Sequence, residues 1–147
     1  MLCGMTYETK DTRDTVAELL KRIAEGDHDG AAGLFAEHID WRLSWPEEGR
    51  PEAPWIRPRS SRADVAEHFR ALEAHHVPEL NGTSVDRILV DGTDAVVLGE
   101  IAQTPRAGTA YRSPFALHLT VEDGLITRYH IYEDSLTVAG ALAAANP

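Results

Sequence analysis

The sequence predicts an α+β fold in a single domain, with three N-terminal helices packed on a curved, mostly antiparallel sheet. Three observations carry this expectation. Apolar residues recur at three- and four-residue steps in the first half, alternation with a period of two begins at His38, and four strand-like runs separated by turn pairs follow Pro78. At 147 residues and 43% apolar composition, the chain is sized for one hydrophobic core.

In residues 12–25, Val16, Leu19, Leu20 and Ile23 share one face, Asp11 or Thr12 is placed to cap and Gly26 to stop the helix. Residues 1–11 before it read as a loose extension. Asp27 then caps a short second helix carrying Ala31, Ala32, Leu34 and Phe35. From His38 the period changes: Ile39, Trp41, Leu43 and Trp45 alternate with polar residues, the mark of a half-buried strand. Residues 46–58 hold four prolines and Trp55, too proline-rich for a helix or central strand and long enough to act as a lid. Ser60 or Ser61 caps a third helix with Val65, Phe69 and Leu72 as its buried stripe. The strands expected next are 84–90, 95–104, 109–121 and 125–133, forming a meander through Asp91 and Gly92, 105–108, and Asp123 and Gly124. Pro114 donates nothing to a ladder, so a bulge or unpaired position is expected there. Asp134 and Ser135 open an alanine-rich helical tail that ends at Asn146 and Pro147.

Composition narrows the function. A formal net charge of -10 repels phosphate backbones and anionic headgroups, so nucleic acid and membrane are not expected partners. Arg50, Arg57, Arg59 and Arg62 form the one basic group, either holding an anionic substrate tail or offsetting Glu47, Glu48 and Glu52 in a solvated loop. The single cysteine, Cys3, excludes a disulfide framework within the chain, and no basic leader followed by an apolar run opens it; a cytoplasmic setting is expected. The seven histidines lack metal-ligand spacing, and neither Gly-x-Gly-x-x-Gly nor Gly-x-Ser-x-Gly occurs, so no metal and no cofactor is expected.

The element order, Gly26 with Asp27, the segment LFAEHIDW at 34–41 and the segment LHLTVEDGLITRYHIYED at 117–134 resemble the NTF2-like superfamily, in its SnoaL-like and ketosteroid-isomerase-like branch. The resemblance runs over residues 12–142. It implies an NTF2-like cone, frequent homodimers, and activities from isomerase, cyclase, hydrolase and dehydratase to plain binding. The places that hold the isomerase's tyrosine and two aspartates are Leu19, Leu43 and Leu117 here, which excludes standard 3-ketosteroid isomerisation. The aspartate that serves polyketide cyclases as acid/base matches Asp134.

The apolar alternation of Phe115, Leu117 and Leu119 places Tyr111 and Ser113 on the cavity face with them. By the family register, Val96, Leu98, Glu100 and Ala102 turn inward on the strand before, and Tyr129, Ile131 and Glu133 on the strand after. His118 and His130 then face outward. Glu100 is expected either as an acid/base group in an apolar wall or as an ion pair with Arg112 or Arg128. Asp134 is either catalytic or a helix cap, and Glu133 is the alternative inward member of that pair. Tyr111 and Tyr129 are candidate hydrogen-bond donors to a carbonyl or enolate oxygen. Trp41, Leu43, Trp45, Trp55, Phe69, Leu98, Ser113, Phe115, Leu117 and Ile131 are the candidate substrate-binding residues. The function expected is a cofactor-independent acid/base enzyme of the cyclase, isomerase or epoxide-opening type, acting on a small apolar or polycyclic substrate in polyketide or other secondary metabolism. The alternative is a binding or dimerising module, with homodimers expected to form through the outer sheet face.

Overall fold

The computed structural model describes the backbone of residues 2–143 and the side chains of residues 11–143; the side chain of Cys3 and the tail at Asn146 and Pro147 lie outside these. Helix α1 spans Leu2–Ala24 and α2 His28–Ala32. Strand β1 (Phe35–Leu43) precedes α3 (Arg62–His75) and a single 3-10 turn at Pro78–Leu80. Strands β2 (Ser84–Asp91), β3 (Asp94–Gln103), β4 (Tyr111–Glu122) and β5 (Leu125–Glu133) then lead into α4 (Ser135–Ala143). One five-stranded sheet results, in the order β1-β5-β4-β3-β2. The meander is antiparallel and β1 joins its edge parallel to β5, so the sheet is α+β and mostly antiparallel as expected.

Local chemistry sets the helix ends. Gly26 stops α1 at a φ of 73°, a conformation that costs a side-chain-free residue little. The Asp27 carboxylate accepts from the Gly30 N–H and caps α2. Ser61 and Asp64 form a reciprocal capping box at the start of α3. Two helical expectations are corrected. Residues 2–11 are helical, so α1 starts at Leu2 and neither Asp11 nor Thr12 caps it. Leu34 and Phe35 lie outside α2, with Phe35 opening β1, because a five-residue segment that contains Gly30 and is followed by Gly33 does not sustain a longer helix.

The sheet corrects one register. Across β3 and β4, Val97 faces Leu117, Gly99 faces Phe115, Ile101 faces Ser113 and Gln103 faces Tyr111. Directly opposed residues share a face, so the cavity side of β3 carries its odd positions. Val96, Leu98, Glu100 and Ala102 therefore belong to the outer face, not the inner one. Gly99 has no room for a Cβ, which would sit 2.1 Å from the Ser84 carbonyl and 2.9 Å from the Phe115 ring. Pro114 sits in an unbroken β3 register, just before β5 pairing begins at Phe115 and Glu133. No bulge forms there, and Pro114 has no partner on the β5 side, the unpaired position that was expected.

The core lies between the inner sheet face and the helices. Val16 and Leu19 of α1, Val65 and Phe69 of α3, and Phe35 and Trp41 of β1 pack on Val97, Leu117, Leu119, Ile126 and Tyr129. A second apolar cluster, Ala53, Trp55 and Ile56 of the proline-rich loop with Tyr111, Val138 and Leu142, ties that loop to α4. No described helix is long and apolar enough to cross a membrane.

Candidate functional site

Where these two clusters meet, the inner sheet face, α1, α3 and α4 enclose a cavity of about 250 Å³. It shares Ile23, Phe69, Leu72, Asn81 and Gln103 with an adjoining groove of about 290 Å³, called the vestibule below. Leu43, Phe69, Phe115, Leu117 and Ile131 supply apolar wall, and Trp55 closes it from the proline-rich loop. Tyr111, Tyr129 and Glu133 line the same space. Leu43 and Leu117, two of the three leucines at isomerase positions, are wall residues, while Leu19 is fully buried in the core.

Glu133 is the carboxylate of this cavity. At the end of β5, its N–H donates to the Ser44 hydroxyl at 2.9 Å, which fixes the backbone. The Trp45 indole N–H donates to its Oε1 at 2.7 Å. Burial pushes the Glu133 carboxyl above the usual carboxylate range and the Asp134 charge adds to this, while the Trp45 donor opposes it. Trp45 thus lies beside the cavity wall and positions the acid rather than lining the space.

The other two acidic candidates lie elsewhere. Glu100 is on the outer face, 42% exposed, and pairs with Arg112 at 2.6 Å. Asp134 is exposed and caps α4: its carboxylate accepts from the Thr137 N–H at 3.0 Å and hydroxyl at 2.6 Å. The Thr137 hydroxyl first, then its N–H, hold the Asp134 carboxyl below its ordinary range. Three binding candidates are also displaced. Leu98 lies on the outer face, opposite Arg87 and Ala116. Ser113 is fully buried and accepts from the Asp134 N–H at 2.8 Å, joining β4 to the start of α4. Trp41 stands behind the wall, stacked on Tyr129 with ring centres 4.1 Å apart.

The two tyrosines differ in what their protons do. The Tyr111 hydroxyl lies 2.8 Å from His76 Nε2 and 2.8 Å from the Gln103 side-chain amide. His76 Nδ1 lies 2.7 Å from the Leu72 carbonyl, which only accepts, so Nδ1 carries the hydrogen. Burial pushes the His76 pKa down, and its Nε2 presents a lone pair to the Tyr111 hydroxyl. The Tyr111 hydroxyl donates to Gln103 Oε1. The Tyr129 hydroxyl, by contrast, has no hydrogen-bond partner among the described residues. Burial first, and then the nearby Glu133 charge, push its phenol pKa up, so it remains a proton donor.

Sequence reasoning did not single out His68, which also lines the cavity. The signal was present: His68 lies three residues after Val65 and four before Leu72, on the buried stripe of α3. Its ring packs edge-on to Trp41 at 4.7 Å and its Nδ1 lies 3.3 Å from the Trp55 carbonyl. Burial, with the charge of Arg59 nearby, pushes its pKa down to about 3. The arginine group forms no anion site in the cavity: Arg59 donates to the Asp64 carbonyl, Arg62 to the Phe35 carbonyl, and Arg57 pairs with Glu67.

His118 and His130 lie on the outer face as expected, His118 Nε2 at 2.9 Å from Asp94 and His130 Nε2 at 3.0 Å from Asp40. Among the described residues no three His, Cys, Asp or Glu side chains are grouped to hold a metal.

The comparisons agree with this architecture. A family model described as SnoaL-like domain matches residues 16–129. The fold is similar to that of Bal32a from a soil-derived mobile gene cassette, at a TM-score of 0.76 and 12% identity over 92% of this chain and 98% of that one. An NTF2-like protein from Burkholderia thailandensis E264 superposes at a TM-score of 0.74 with 20% identity, over 89% of this chain and 96% of its own. A protein of ketosteroid-isomerase-like fold from Catenulispora acidiphila, crystallised with trimethylamine, has a TM-score of 0.68 and 13% identity over 89% and 91%. No curated protein matches the sequence.

Proposed function

The chain belongs to the SnoaL-like domain family of NTF2-like cones, and on that premise we propose that it is a cofactor-independent enzyme that moves protons on a small, largely apolar carbonyl compound. Glu133 carries the reading: a carboxylate with a raised pKa in an apolar cavity, held by an indole donor. In its ionised form Glu133 takes a proton from the carbon next to the carbonyl. Tyr129 donates a hydrogen bond to the oxygen where charge develops, the role of a preorganised oxyanion donor. Returning the proton to another carbon isomerises the ligand, and attack of the enolate on a second carbonyl closes a ring.

Cavity size narrows the ligand. An engineered cavity of about 150 Å³ holds benzene, and drug-sized sites begin near 300 Å³. A chamber of about 250 Å³ therefore suits one or two rings, with the vestibule left for a substituent. Epoxide opening by an Asp-Arg-Asp cluster has no support, because among the described residues Glu133 is bonded to Trp45 and to no arginine. The outer sheet face, where Leu89 and Tyr132 are exposed, is our proposed homodimer contact.

Exchange of the α-hydrogens of 2-tetralone in D₂O, followed by NMR, tests the proposal. The wild type is expected to accelerate exchange, and Glu133→Gln to lose about 10²-fold or more of that acceleration. Glu100→Gln and Asp134→Asn should retain it within about twofold, since neither side chain faces the cavity. Binding of 2-tetralone without any accelerated exchange would leave a binding module, the alternative reading.

A further inference from the structure

His68 is a polar group that the acid/base reading leaves unused. It is 3% exposed and lines the cavity together with Glu133 and Tyr129. Its Nδ1 faces the Trp55 carbonyl, which has no hydrogen to give, so Nδ1 must be the protonated nitrogen. That fixes the tautomer: Nε2 carries a lone pair, and among the described residues nothing donates to it. Trp41 and Phe69 pack against the ring at 4.7 and 5.1 Å, both edge-on, so it is held in place.

We infer that His68 Nε2 accepts a hydrogen bond from a ligand hydroxyl, so that the cavity selects neutral one- or two-ring molecules bearing an alcohol or phenol. The inference rests on the cavity being a ligand site, as proposed above. The hydroxyl is singled out because the lone pair on Nε2 is acceptor-only and otherwise unmatched. A buried acceptor facing a ligand without a donor is left desolvated and unpaired, and sites of that kind reject the analogue lacking the hydroxyl. Neutrality follows from the lining. Glu133 is its one acidic side chain and it holds no lysine or arginine, so an anionic ligand finds no counter-charge. A cationic group would have to shed its hydration against this largely apolar lining, a cost that a neutral alcohol is spared.

Three probes of nearly equal shape separate the possibilities: indane, 2-indanol and 2-aminoindane, the last cationic at neutral pH. Calorimetry with wild-type protein is expected to show 2-indanol binding about tenfold or more tighter than indane, and 2-aminoindane no tighter than indane. In His68→Phe, which keeps a ring against Trp41, the preference for 2-indanol over indane should fall below about twofold. The ¹⁵N NMR shift of His68 Nε2 provides a readout on wild-type protein alone. It should report an unprotonated nitrogen in the free protein and move with 2-indanol but not with indane. Equal binding of 2-indanol and indane, a preference that survives His68→Phe, a protonated Nε2, or a preference for the amine would each overturn the inference while leaving the cavity as a ligand site. Failure of all three probes to bind would overturn the ligand-site reading itself.

Discussion

Surroundings, not acidity, separate the three candidate acids Glu100, Glu133 and Asp134. Glu100 meets solvent and Arg112, Asp134 meets the first turn of α4, and Glu133 meets a leucine- and aromatic-lined space with one indole donor. That donor favours the ionised form, so Trp45→Phe removes a hydrogen bond that holds the Glu133 pKa down. The reaction needs the carboxylate, and activity rises with pH as Glu133 ionises. In Trp45→Phe the rise is expected at higher pH, with activity at the acidic side reduced and the alkaline plateau largely kept; a pH profile of 2-tetralone exchange checks this. Tyr111, Phe115 and Leu117 were legible in the sequence because β4 alternates cleanly between apolar and polar. Glu100 was not, because β3 is apolar on both faces: Val96 and Leu98 outside are as greasy as Ala95 and Val97 inside. Without a polar phase, nothing in the run fixes which parity faces in.

Among the elements, strand boundaries followed directly from turn chemistry, while helix ends depended on contacts the pattern does not contain. Asp123 and Gly124 turn β4 into β5 at the expected place. The start of α3 was equally plain, since Ser61 and Asp64 satisfy each other's backbone donors. The proline-rich loop was expected as a lid, and its role is more specific. Trp45 at one end holds Glu133, and the Trp55 carbonyl near the other fixes the His68 tautomer. Its anchorage through Ala53 and Ile56 to α4 needed long-range packing to appear. Asp134 belongs to this scale. Losing its cap in Asp134→Ala should cost about 0.5 to 2 kcal/mol, measured as a lower denaturation midpoint with an unchanged m-value. Asp134→Asn, which retains the accepting oxygen, should recover most of the loss. No loss in either variant would remove the capping account.

For the whole molecule, helices on one face of the sheet leave a chamber lined by β3, β4 and β5, by α1 and α3, and by the proline-rich loop. The α+β class and the sheet were readable from periodicity alone; which face was hollow, and which groups line it, came from the register of β3 against β4. The proposed chemistry requires Glu133 to be a buried carboxylic acid open to ligand. Titration of its side-chain carboxyl carbon by ¹³C NMR, in free protein and with saturating 2-indanol, tests this most directly. The expected result is a pKa above that of an ordinary glutamate, moving again when the ligand displaces cavity water. An ordinary glutamate pKa that does not respond to ligand would contradict it.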